Sequence, residues 1–127
     1  MLDKYTLFWS LLYYFILDPP LAPGVPNITE VGGDFVHLSW DKPENDGGAR
    51  IQGYWVDKRE VGTEAWQRVN AAICPPTQLN ISNLIEGRQY EFRVFAQNDA
   101  GLSPASVAST AVKIKDPKGM FYVSTES

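Results

Sequence analysis

The sequence has one cysteine, Cys74, and one histidine, His37, in 127 residues. A single thiol excludes an internal disulfide, which fits a reducing compartment or a fold that needs no covalent staple. So small a stock of sulfur and imidazole excludes a structural zinc site, which takes four ligands drawn mostly from those two side chains. Basic residues are also in the minority, 11 against 15 acidic, for a net charge of −4. That leaves no basic field to attract a phosphate backbone, and nucleic acid is excluded as a partner. Long apolar runs are missing too. The stretch from Tyr5 to Leu17 is 13 residues long, short of the roughly 20 that a membrane span needs. The chain has room for one ordinary domain and not for two, which excludes a multidomain enzyme.

What is present describes a folded module. A hydrophobic share of 44%, with 13% aromatic and 20% charged residues, is enough to bury a core. Composition breaks at Asp18-Pro19-Pro20 and again near Lys115-Asp116-Pro117. Three parts follow: an apolar segment over residues 1–17, a domain over 18–117 and a polar tail over 118–127. The first segment has the core length of a signal peptide, but Asp3 cancels Lys4 and bulky Phe15-Ile16-Leu17 replaces the small residues of a cleavage site. It reads either as such a signal or as non-domain residues preceding a module of a longer chain.

Between those limits the dominant period is two. Val36, Leu38 and Trp40 alternate with Phe35, His37 and Ser39. Tyr54 and Val56 alternate with Trp55 and Asp57, and Tyr90, Phe92, Val94 and Ala96 alternate with Glu91, Arg93, Phe95 and Gln97. Val112 and Ile114 close the series. Shorter candidates lie over Val25 to Val31, Ala65 to Val69 and Gln78 to Leu84. About seven half-buried strands separated by turn signals predict an all-β antiparallel sandwich, and no internal window carries a helical stripe.

The ordered set of landmarks resembles a fibronectin type III domain. It consists of Pro23 and Pro26 at the first strand, Trp40 at the end of the second, Tyr54-x-Val56 in the third, Leu84-x-x-Gly87-x-x-Tyr90 at the corner into the sixth, and Ala96-x-Asn98-x-x-Gly101-x-Ser103 before the last. The expected fold is therefore a seven-stranded immunoglobulin-like sandwich of type III topology. Trp40, Tyr54, Leu84, Tyr90 and Phe92 would form its core, with the Tyr90 hydroxyl bonded to an upstream backbone group. Pro43-Glu44-Asn45-Asp46-Gly47-Gly48 and Gly53-Tyr54-x-Val56-x-Lys58-Arg59-Glu60 are similar to the modules of giant sarcomeric proteins, namely titin, twitchin and projectin. That resemblance implies a non-enzymatic spacer and filament-binding link. Its partners would be neighbouring immunoglobulin or fibronectin modules and thick-filament myosin, its place the cytoplasmic A-band of the sarcomere. The alternative is an extracellular adhesion or receptor ectodomain module, secreted or at the cell surface.

Candidate chemistry is sparse. His37 points away from the core, and Cys74 beside Pro75-Pro76 has no adjacent base or helix start to lower its pKa. Gly32-Gly33-Asp34-Phe35 and Asp46-Gly47-Gly48 are turns, and Glu44 with Asp46 is too little for calcium. No catalytic, cofactor or metal residue is expected, nor a small-molecule substrate or a membrane. The loop Asn98-Asp99-Ala100-Gly101-Leu102-Ser103 lacks Arg-Gly-Asp. Two glycosylation triplets, Asn27-Ile28-Thr29 and Asn80-Ile81-Ser82, matter only for a secreted chain. The candidate interaction face is Trp55, Phe95 and Arg93. The third and sixth strands of a type III fold are neighbours, and here both put a large ring opposite the core, where sarcomeric modules carry smaller or charged residues. The competing reading is a cross-strand aromatic pair that only stabilises the sheet.

Overall fold

A computed structural model describes residues 3–117. The polar tail expected over 118–127 lies outside the described residues. The first element is a helix, α1 (Lys4–Ile16), capped by the Asp3 carboxylate, whose Oδ1 accepts from Thr6 N at 2.8 Å. That bond holds the Asp3 carboxyl below its usual range. At 13 residues α1 is about 20 Å long, and among the described residues no helix is long and apolar enough to cross a membrane.

Among the described residues eight strands follow: β1 (Asn27–Val31), β2 (Val36–Ser39), β3 (Gly53–Glu60), β4 (Gln67–Arg68), β5 (Gln78–Ile81), β6 (Gln89–Asn98), β7 (Gly101–Leu102) and β8 (Val112–Lys113). They form two antiparallel sheets. One has the order β1-β2-β5; the other has β4-β3-β6-β7, with β8 also paired to β6. The sandwich expected from sequence is present. The expected strand count of seven becomes eight because Gly101–Leu102 pairs with the end of β6.

Alternation builds the core. Val36, Leu38, Val56, Phe92, Val94, Ala96 and Ile114 are fully buried between the sheets, with Trp40, Tyr54, Ile81, Leu84 and Tyr90 nearly so. Trp40 sits just beyond β2 and meets Tyr54 edge-on, ring centroids 5.4 Å apart. Its indole Nε1 is buried with no acceptor among the described residues. At the corner into β6, Gly87 takes φ +89°, a conformation open to glycine. The Ile85 N–H then donates to the Tyr90 hydroxyl at 3.1 Å, forming the tyrosine corner.

Two edges of the sandwich run with period three. At the start, Asp18, Leu21 and Gly24 donate their N–H groups to the carbonyls of Gly47, Asn45 and Asp41, at 3.0, 2.9 and 3.1 Å, while Pro20, Pro23 and Pro26 are buried. At the end, Ser103, Ser106 and Ser109 are buried against β6. Each donates its N–H to a β6 carbonyl, of Ala96, Val94 and Phe92 respectively, and accepts that residue's N–H on its hydroxyl at 2.9 to 3.0 Å. Three residues per turn is the period of an extended polyproline-type chain, not of a pleated strand.

Candidate functional site: a guanidinium and aromatic face

The outer face of the larger sheet follows from its register. β3 and β6 pair Trp55 with Phe95, Asp57 with Arg93 and Arg59 with Glu91. β4 pairs Arg68 with Asp57, and Trp66, two residues earlier, shares the face of Arg68 by the two-residue period. Six large side chains and two carboxylates therefore meet on one surface.

Their contacts form a continuous layer. The Arg68 guanidinium lies 5.2 Å from the Trp55 ring centre and 5.4 Å from that of Phe95. Arg93 lies 5.2 Å from Phe95 and 4.4 Å from Trp66, which Arg59 also approaches to 4.3 Å. All are within the range of cation–π attraction. Asp57 anchors the layer, its Oδ1 accepting from Arg68 Nε at 2.6 Å and its Oδ2 from Arg93 Nε at 3.1 Å. Glu91 pairs with Arg59 through Nε at 2.7 Å and through Nη2. At the far end, Trp55 Nε1 donates to Gln97 Oε1 at 2.7 Å, and Gln97 in turn bonds Gln52.

The three residues expected at this face, Trp55, Phe95 and Arg93, are brought together, half-buried on the surface. The pairing of Trp55 with Phe95 is direct, as the neighbouring strands require. Asp57 lies on the outer side as its alternation requires, yet it is only 5% exposed, because Arg68 and Arg93 cover it. Trp66, Arg68, Arg59, Asp57 and Glu91 were not singled out from sequence. The signal for two of them is Trp66-x-Arg68, an aromatic and a cation two apart in the Ala65 to Val69 strand. The alignment of that strand on β3 could not be read from local pattern.

The expected core residues Trp40, Tyr54, Leu84, Tyr90 and Phe92 are all buried. Burial raises the pKa of the Tyr54 phenol and of the Cys74 thiol. Cys74 pairs with Tyr54 through reciprocal backbone hydrogen bonds. His37 is half-buried on β2, its Nε2 3.0 Å from Gln78 Oε1. Asn27 and Asn80 are exposed. Asp46 Oδ1 is used within its own loop, accepting from Gly48 N at 2.9 Å. Among the described residues, no group of three or more His, Cys, Asp and Glu side chains is placed to hold a metal ion.

Comparison with known proteins gives a consistent answer. The family model of the fibronectin type III domain matches residues 21–112. The chain is 37% identical over 94 residues to human slow-type myosin-binding protein C, covering 74% of this chain and 8% of that protein. It spans only a small part of the length of the curated relatives it matches. Among solved structures it is similar to a crystal structure of titin domains, with TM-score 0.75, 35% identity, and coverage of 79% of this chain and 34% of that one. It is also similar to the twitchin kinase region of C. elegans, with TM-score 0.74, 33% identity, and coverage of 80% and 18%.

Proposed function

The chain belongs to the fibronectin type III family, and from that premise we propose that residues 18–117 act as a non-enzymatic structural and protein-interaction module, a spacer and filament-binding link of a giant muscle protein of the titin and twitchin type. One observation carries the reading: 37% identity across 74% of the chain to a protein whose name states that it binds myosin. The likeness to titin and twitchin domains supports it from the side of structure. In this reading the partners are neighbouring immunoglobulin or fibronectin modules and thick-filament myosin, and the place is the sarcomere A-band. Neither a cofactor nor a small-molecule substrate takes part.

The mechanism is geometric. A cooperative core makes the module a unit of fixed size, and the bonds of Asp18, Leu21 and Gly24 to the loop between β2 and β3 limit the angle at which the preceding chain enters. The face of Trp55, Phe95 and Arg93 supplies a contact that is weak alone and multiplied by repetition. Co-sedimentation of the 127-residue chain with synthetic myosin filaments tests this. Binding that falls in the Trp55→Ser, Phe95→Ser double variant supports the contact face. A drop in melting temperature with binding unchanged makes the aromatic pair purely structural, and no binding by the unmodified chain removes the filament reading.

A second reading, a secreted adhesion or receptor module, is favoured by the exposure of Asn27 and Asn80, both in glycosylation triplets. The mass of the chain expressed in muscle-derived cells, with and without glycosidase, distinguishes the two.

A further inference from the structure

Arg68 and Arg93 each reach Asp57 through a single nitrogen, Nε, at 2.6 and 3.1 Å. Among the described residues, no hydrogen bond uses a terminal Nη of either. Their side chains are 40% and 29% exposed, against 7% for Asp57, so water reaches the guanidinium groups and hardly reaches the carboxylate. The rings of Trp55, Phe95 and Trp66, at 4.4 to 5.4 Å, restrain the guanidinium planes. Two neighbouring guanidinium groups are thus held in place with their terminal donors unused. Such planar forks match a carboxylate in bidentate geometry, and pre-ordering lowers the entropy lost on binding.

The charges do not close. Arg59 and Glu91 neutralise one another, whereas the single charge of Asp57 serves both Arg68 and Arg93. One positive charge is left over on this face, in a chain whose net charge is −4. We propose that the Arg68 and Arg93 pair is a binding site for carboxylate side chains of an acidic protein segment, with the rings as its apolar rim. One surplus charge beside Asp57 and Glu91 suits carboxylates carried on flexible side chains, one of which seats in the forks while its neighbours stay in solvent. This rests on the reading of the face as a protein contact surface and names what it contacts.

The test is fluorescence anisotropy of a labelled octaglutamate peptide titrated with the full chain, alongside the myosin-filament assay. The expected result is saturable binding that Arg68→Gln weakens about tenfold, the loss of one charge-assisted hydrogen-bonding group. Arg68→Lys should weaken it about fivefold, since an ammonium keeps the charge and loses the fork. Binding by the unmodified chain should also fall steeply in about 0.5 M salt, a measurement that needs no variant. Absent or non-saturable binding, binding indifferent to Arg68→Gln, or inorganic phosphate displacing the peptide at equal concentration would overturn the proposal. Filament binding that persists while octaglutamate fails overturns this inference alone, whereas failure of both strikes the contact surface itself.

Discussion

Asn98 fills the hydrogen-bonding capacity of its side chain at one point. Its Nδ2 donates to the carbonyls of Asp18 at 2.8 Å and Asp46 at 2.6 Å, and its Oδ1 accepts from the N–H groups of Ala100 and Gly101 at 2.8 and 3.2 Å. The residue is 2% exposed, so every one of these groups would be stranded without it. Gly47 completes the junction. At φ +78°, a Cβ there would stand 1.9 Å from the Asp18 carbonyl oxygen, so only glycine lets the two segments touch. Asn98→Ala should cost about 2 kcal/mol in urea unfolding and speed amide exchange at Asp18 and Leu21. Unchanged exchange there would show that the prolines alone hold the segment. Tyr54 has a pH signature. Its phenol, buried under Trp40 and raised in pKa, holds its proton in the folded chain at pH values where the unfolded chain has begun to lose it. Stability is complete below the ordinary phenol pKa of about 10 and falls as pH rises beyond it. Tyr54→Phe should flatten that alkaline limb, read as melting temperature between neutral pH and about pH 11 relative to the unmodified chain.

Among the elements, the segment after β7 departs furthest from a pleated strand. A strand on β6 would present alternate residues inward; instead every third residue, Ser103, Ser106 and Ser109, is buried. Each hydroxyl stands where a backbone carbonyl would accept, and passes its own proton to the carbonyl of the next residue, Pro104, Val107 or Thr110. Pro104, which has no N–H, fits such an edge because its nitrogen is not asked to donate. Ser106→Ala would leave the buried Val94 N–H without its acceptor, at about 1–3 kcal/mol in urea unfolding. A change below about 0.5 kcal/mol would mean that water replaces the hydroxyl. The sequence marks this element only indirectly. Gly101-x-Ser103 is legible as a landmark, but a period of three leaves no trace in a period-two pattern, which shows the last strand only at Val112 and Ile114.

At the scale of the whole molecule, the core draws on β2, β3, β5, β6, the corners between them and Ile114 after β8, and among the described residues no side chain of α1 belongs to it. Tyr5, Leu7, Phe8, Trp9, Leu11 and Ile16 of that helix are exposed. The cooperative unit is thus the sandwich, and a chain starting at residue 18 should melt within about 2 °C of the full chain. A larger loss would show that the apolar segment rests on the domain.

Sequence alone determined the sandwich, its core and its corner, because each depends on local regularity. Alternation in Val36 to Trp40, Tyr54 to Asp57 and Tyr90 to Ala96 sets which side chains enter the core, and Gly87 with Tyr90 sets the turn through neighbouring atoms. It also placed Trp55 and Phe95 opposite the core on adjacent strands. Tertiary structure alone decided the rest. A two-residue strand such as β4 carries too little pattern to fix its own alignment, so the meeting of Arg68 with Asp57, 11 residues away, is set by how the chain folds back upon β3. The clamp of Asn98 on Asp18 spans 80 residues and depends on the loops at one end of both sheets being brought together. Short-range sterics write strands into a sequence, while a surface assembled from three strands exists only once they are packed.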